Sequence, residues 1–256
     1  MQRCQQDALE WLEFDLLKEC PRVQHAVFLR CGGFSEGSFA SLNTGFFVGD
    51  NPHHVESNFK RLEKHFKGII PDWKRYVFGR GCHKTALAHV NNHSPQEYVH
   101  YDGLITRTPC ITLIMEHADC QIALIYDPIH HVAATIHSGW RGSVANIYEK
   151  AIKTMHMNYG SNPADLLVCI SPSLGPDKAE FINYQTELPA SFWPFQLRPY
   201  YFDFWAISEE QLKQAGILPQ HIEVARLCTH THSQDFFSYR RDHTTGRHAS
   251  CITLIS

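Results

Sequence analysis

Short apolar runs separated by polar corners dominate the chain, and helical periodicity is confined to a few stretches. Residues 110–142 read as strand, polar corner, strand, turn, strand, and a Gly-bounded corner that opens a helix. The runs 121–126 and 132–136 flank Asp127-Pro128, and antiparallel pairing around that turn brings Cys120 and His137 together. Further strands are predicted at 24–30, 73–78, 102–106, 111–115, 166–171, 222–227 and 251–255. A helix starts at Pro52 with Asn51 as cap, buries Val55, Phe59, Leu62 and Phe66, and ends at Gly68. A second, 143–157, is capped by Ser143 and turns Val144, Ile147, Ala151, Ile152 and Met155 inward. A third, 203–215, buries Leu212 and stops at Gly216. Residues 85–101 are polar and His-rich, and read as an exposed excursion. Strands and helices alternate irregularly, which predicts an α/β (α+β) fold: one mixed sheet with helices over its faces.

Composition narrows the class. With 256 residues, 43% of them apolar, and no linker or low-complexity tract, the chain reads as a single domain spanning 1–256, with 1–22 as an N-terminal extension. A net charge of -3 gives no footing for nucleic acid or an anionic membrane surface. No apolar run is long enough to span a bilayer, and the opening residues lack a signal-peptide core. Nine cysteines, an odd number with no CxxC, argue against a disulfide framework and for a reducing cytoplasm.

The 18 histidines turn attention to metal. His83 follows the strand 73–78 and the flexible Gly79-Arg80-Gly81, where it can join Cys120 and His137. A thiolate with two imidazoles leaves a fourth tetrahedral position open, and zinc there gives hydroxide at neutral pH. Arg141, between Gly139 and Gly142, offers a fork for phosphate. The same residues also read as a Cys120–His137 nucleophile–base dyad, or as a buried thiol beside a hydrogen-bonded imidazole. Spacing alone leaves all three readings open. The Gly32-Gly33 and Asn43 corners are turn chemistry or a pocket wall, and the aromatics of 192–205 are core or a substrate wall.

Ala118-Asp119-Cys120 and His137-Ser138-Gly139-Trp140-Arg141-Gly142 resemble the YfiH/LACC family, also called the polyphenol-oxidase laccase-domain family. Gly32-Gly33-Phe34-Ser35, Leu42-Asn43-Thr44-Gly45, Gly49-Asp50, Leu174-Gly175-Pro176, Cys228-Thr229 and Phe236-Phe237-Ser238-Tyr239-Arg240-Arg241-Asp242 follow in the same order. The resemblance implies one metal, zinc before copper, on His83, Cys120 and His137. It implies a fold shared with the deamidase domain of cytotoxic necrotizing factors. It also implies phosphorolysis of adenosine, inosine and methylthioadenosine, and hydrolytic deamination of adenosine, so that purine nucleoside and phosphate are the expected partners. Arg141, Arg30 and Arg240 are then candidates for phosphate or ribose, and Ser35 and Asn43 for the nucleoside. Asp119 and Glu180 are candidate acids. A Cys–His amide hydrolase and a metal-stabilised protein-binding module are the alternatives. Multicopper oxidation needs many paired histidines, and only His230-Thr231-His232 has the His-x-His form. Two departures from the family pattern stand out: Gly81-Cys82-His83-Lys84 replaces the usual Gln-Val-His-Gly, so Cys82 can displace or supplement His83. Asp177-Lys178-Ala179 replaces the usual Cys-Cys-Tyr.

Overall fold

The apolar runs assemble into two mixed sheets that face each other in the computed structural model, which describes all 256 residues. The first sheet has the order Gln2–Gln6, Leu9–Glu13, Val23–Phe28, His248–Leu254, Ile111–His117, Arg75–Arg80 and Glu97–Val99. The second has the order Ile222–Val224, Leu167–Ile170, Gln121–Asp127, Val132–Ser138, Gly103–Thr106 and Leu87–Val90. Val27, Val77, Leu113 and Ile252 of the first meet Ile122, Leu124, Ala133 and Leu167 of the second in one apolar cluster.

Helices cover the outer faces. Pro52–Ile69 lays Val55, Phe59, Leu62 and Phe66 on Phe28, Ile114 and Cys251. Ile147–Tyr159 and Phe204–Gln214 place Ile147, Ala151, Ile152, Met155 and Leu212 against Ile125, Ala134 and Val168. The class is the expected α/β with covering helices, but the single mixed sheet expected is two, with a small two-stranded ribbon, Gln196–Arg198 and Tyr201–Phe202, besides. Every residue of Gln121–Asp127 and Val132–Ser138 is buried. Such runs announce cover on both faces and cannot say whether a helix or a second sheet provides it.

Local readings shift in four places. Residues 1–22 are built into the first sheet as a hairpin plus the short helix Asp15–Lys18, whose Leu16 N–H donates to Glu223 across the sandwich (2.8 Å). The stretch 85–101 holds two strands, Leu87–Val90 and Glu97–Val99, with the polar side chain of His89 outward against Tyr159. Ser143 caps nothing: it lies inside the helix Trp140–Val144 and bonds Ser138, and Asn146, in a left-handed backbone, caps Ile147–Tyr159 by accepting from Glu149 N–H. Gly68 lies within its helix, which ends at Ile69 with Ile70 as C-cap. No helix is long and apolar enough to cross a membrane.

Two buried histidines make stability pH-dependent. Nε2 of His25 accepts from Phe14 N–H (2.7 Å), so the ring must be neutral on that side. Burial pushes His25 from its ordinary 6.5 down to about 4 and His248 down to about 3. The unfolded chain therefore binds protons that the folded chain refuses, and stability falls as pH drops below 6.5. Each histidine contributes about 1.4 kcal/mol per pH unit until its folded pKa is reached. Urea unfolding at pH 7 and pH 5 should show a lower midpoint at pH 5; an unchanged midpoint contradicts this.

Candidate metal centre and its adjoining cavities

Three side chains converge where the two sheets share an end. The antiparallel register sets His137 opposite Ile122 and Ser138 opposite Gln121, and one step further places Gly139 opposite Cys120. Cys120 Sγ and a ring nitrogen each of His137 and His83 lie within 4.8 Å of one another. His83 arrives from the other sheet, on the loop after Arg75–Arg80, with a left-handed backbone (φ 60°). Its ring centroid is 5.1 Å from that of His137. A Cβ on Gly139 would overlap His83 Nδ1 and sit 3.1 Å from Cys120 Sγ, and one on Gly81 would sit 2.5 Å from His137 Nδ1. Both glycines are there because a side chain would occupy the space the ligands need.

Asp102 fixes this geometry. It is fully buried at the head of Gly103–Thr106. Its Oδ1 accepts from the amides of Cys82 and His83 (both 2.9 Å) and lies 3.0 Å from His137 Nδ1, while Oδ2 accepts from Lys84 N–H (2.9 Å). One carboxylate thus grips the His83 loop and holds the proton on Nδ1 of His137, leaving Nε2 for a ligand bond. Burial opposes its charge, yet His137 and the loop groups outweigh this and hold it down to about 2. Sequence reading passed over Asp102 because it reads as an ordinary residue before a strand. Its signal is an acid-glycine pair opening a strand that neighbours the His137 strand.

Burial opposes ionisation of Cys120, but His137 and then His83 more than offset it and bring the thiol down to about 6. The same contact with Cys120, helped by Asp102, raises His137 to about 10 against its burial. A thiolate held between imidazoles suits a borderline-soft divalent ion such as zinc, and the glycine-made space beside it fits one. Cys82 is turned away: its Sγ lies 3.5 Å from Asp102 Oδ2 and 3.4 Å from the His100 carbonyl.

Two cavities flank the three side chains. One, of 340 Å³, is walled by Trp140, Leu174, Phe181 and Phe204, with Arg141 and Arg240 among its lining. The other, of 470 Å³, holds Arg80, Glu116 and Arg247 and reaches Phe47 at its edge. The structure does not gather all the expected residues here. Arg141 stacks on Trp140 (4.0 Å) at the first cavity. Arg240 also borders it, but its guanidinium donates to the Lys178 and Glu180 carbonyls and so straps down the Ala179–Phe181 wall. Asp119 lines that cavity with both oxygens engaged, by Thr229 Oγ1 and Arg240 N–H (both 2.6 Å). Glu180 is exposed and lines neither cavity.

Arg30 lies in a separate, open cavity with Arg241 and Asp242, donating to the Ala40 and Ser233 carbonyls. Ser35 and Asn43 are buried and line neither cavity beside Cys120. Ser35 Oγ accepts from Asn58 (2.9 Å), and Asn43 Oδ1 accepts from the amides of Gly45 and Arg247 (both 2.8 Å). Their hydrogen bonds hold the turn, and neither side chain lines the cavities in which a nucleoside role was expected of them.

Comparison with known proteins agrees with this architecture. Residues 24–255 match the family model described as multi-copper polyphenol oxidoreductase laccase. The chain is 31% identical to a purine nucleoside phosphorylase of Bacteroides thetaiotaomicron, covering 90% of each protein. It is 32% identical to the purine nucleoside phosphorylase YfiH of Escherichia coli, covering 88% of this chain and 91% of that one. The crystal structure of a hypothetical protein YfiH from Bacillus licheniformis superposes with a TM-score of 0.86 at 28% identity, over 96% of both chains. YlmD from Geobacillus stearothermophilus gives 0.85 at 25% identity, over 98% of both.

Gly139→Ala should leave the fold intact and displace the His83 ring. Zinc affinity, read by competition with a chromogenic chelator, should fall at least about tenfold; wild-type affinity in a folded variant contradicts the convergence described.

Proposed function

Because this chain belongs to the YfiH/LACC laccase-domain family, we propose that it is a zinc-dependent purine nucleoside phosphorylase that also deaminates adenosine hydrolytically at the same centre. The observation that carries this reading is the convergence of His83, Cys120 and His137 beside an aromatic-walled cavity. The cavity is of ligand size. Trp140, Phe181 and Phe204 offer ring faces and edges to a purine, and Arg141, whose guanidinium forms no ion pair, reaches the same space. Asp102 holds a proton on His137 Nδ1 and so keeps Nε2 and the Cys120 sulfur aimed at one point. His83, Cys120 and His137 would hold zinc, which when bound supplies a Lewis acid and acidifies a coordinated water to a pKa of about 7. Adenosine, inosine and methylthioadenosine are the substrates this reading takes, with inorganic phosphate as co-substrate. The nine cysteines, all free, accord with a reducing cytoplasm.

Copper oxidation of phenols fits less well, since a single three-residue centre offers one ion site where a multicopper enzyme needs several. One observation favours a second reading. Asp102, His137 and Cys120 stand in the order of orienter, base and nucleophile, with the thiol held down to about 6, as an amide hydrolase would need. His83 is what tips the choice, because a dyad has no use for a second imidazole facing the sulfur.

Zinc-loaded protein given adenosine and phosphate should yield adenine with ribose 1-phosphate, together with inosine. Cys120→Ala should lower both turnovers by at least about 100-fold, a loss of the size expected when a ligand or nucleophile is removed. Absence of every product from the wild type overturns the reading, and activity that survives chelation but not thiol alkylation transfers the case to the dyad.

A further inference from the structure

A second, differently built cavity meets the aromatic one at Cys120. It shares His83, Ala118, Cys120 and Tyr239 with the first and is lined besides by Arg80, Glu116 and Arg247. The arginines that form ion pairs in this chain are Arg3, Arg226 and Arg241. Arg80 and Arg247 are not among them, so two guanidinium groups face one small cavity without a carboxylate in pairing range.

Both arginines are held from behind. Arg80 ends the strand Arg75–Arg80, pairs with Val99 and accepts His100 N–H at its carbonyl (3.1 Å), and its guanidinium lies over the Phe47 ring (3.8 Å). Arg247 is clamped by the Leu42-Asn43-Thr44-Gly45 turn: Asn43 Oδ1 accepts its N–H (2.8 Å), while Thr44 N–H and Oγ1–H donate to its carbonyl (both 3.1 Å). Nη1 of Arg247 donates to the Thr245 and Gly246 carbonyls, leaving Nη2 free to meet a ligand. The turn motif that read as pocket wall or plain turn chemistry therefore positions an arginine 204 residues away in the chain. Asn43 itself is buried on Asn58 and touches no cavity beside Cys120.

We propose that Arg80 and Arg247 form the oxyanion subsite of this protein, taking inorganic phosphate in the cavity that adjoins both the candidate metal centre and the aromatic cavity. This rests on the phosphorylase reading for its role in turnover, but not for the binding itself. Two guanidinium groups with no carboxylate ion pair, Arg247 with Nη2 still free, suit a tetrahedral dianion in charge and in donor type. Glu116 is the one acid in the lining. Burial raises it to about 7 against the pull of Arg247, Arg80 and His137, with Glu97 adding repulsion from outside the lining. Two arginines against this one carboxyl leave the lining able to take an anion. Arg141, resting on Trp140, and Arg240, whose Nη1 donates to the Lys178 and Glu180 carbonyls, line the aromatic cavity and not this one.

The test is inorganic phosphate itself, titrated calorimetrically into the zinc-loaded full chain and varied in steady-state phosphorolysis. Arg80→Gln and Arg247→Gln should each raise the Kd and KM for phosphate at least tenfold and leave the nucleoside KM within twofold. Arg80→Lys and Arg247→Lys, which keep the charge and lose the fork, should fall between wild type and the glutamine variants and guard against a folding defect. Glu116→Gln, which removes the competing negative charge, should tighten phosphate. Unchanged phosphate Kd and KM in both glutamine variants, with the loss appearing instead in Arg141→Gln, would overturn the proposal. Arginine-dependent phosphate binding in a wild type that cleaves no nucleoside would sink the phosphorylase reading and leave the oxyanion subsite standing.

Discussion

Asp102 is a fully buried carboxylate that receives the amides of Cys82, His83 and Lys84 and the ring of His137, and so ties a loop of one sheet to a strand of the other. A charge in that position is costly unless every lone pair is answered, and here the answering groups are the ones that place His83 and His137, two of the three candidate ligands. The third ligand needs no such help, because Cys120 is delivered by the register of the central hairpin. Convergence of residues far apart in the chain thus rests on one hydrogen-bonded anion and one antiparallel pairing. Gly81 and Gly139 complete it by keeping the space between the ligands open.

The two sheets give the site its two sides. The aromatic cavity is made by the corner after Leu167–Ile170 and the segment around Phe181 and Phe204, stitched to the centre through Asp119, Thr229 and Arg240. The arginine cavity is made by strand ends of the first sheet, Arg80, Glu116 and Arg247. A phosphorolysis, which breaks the bond between base and ribose and passes the ribose to phosphate, would use ring surface for the base and fixed cations for the anion.

Much of this was legible in the sequence, for reasons that also explain what was not. The hairpin around Asp127-Pro128 and the helix behind Asn51-Pro52 carry short-range signals, and the pairing of Cys120 with His137 follows from the hairpin alone. His83 was singled out by its place at a strand end after flexible residues, and the resemblance then matched it to a ligand, since nothing local to a polar loop says which strand it will face. Asp102 was missed because a buried acid looks like any acid until its partners are known. Ser35 and Asn43 were cast as ligand contacts because a polar, Gly-rich corner looks the same whether its donors face a cavity or the backbone. The structure turns them inward, onto Asn58 and Arg247. Arg80 and Arg247 lie well apart in the chain and share no motif, so only the sandwich brings them together.

The central claim is that His83, Cys120 and His137 hold a single ion. X-ray absorption at the zinc edge on the purified protein tests it most directly. The account predicts a coordination sphere with one sulfur and two imidazole nitrogens, the remaining ligand being light and exchangeable. A sphere without sulfur, or one with two sulfurs drawing in Cys82, contradicts it.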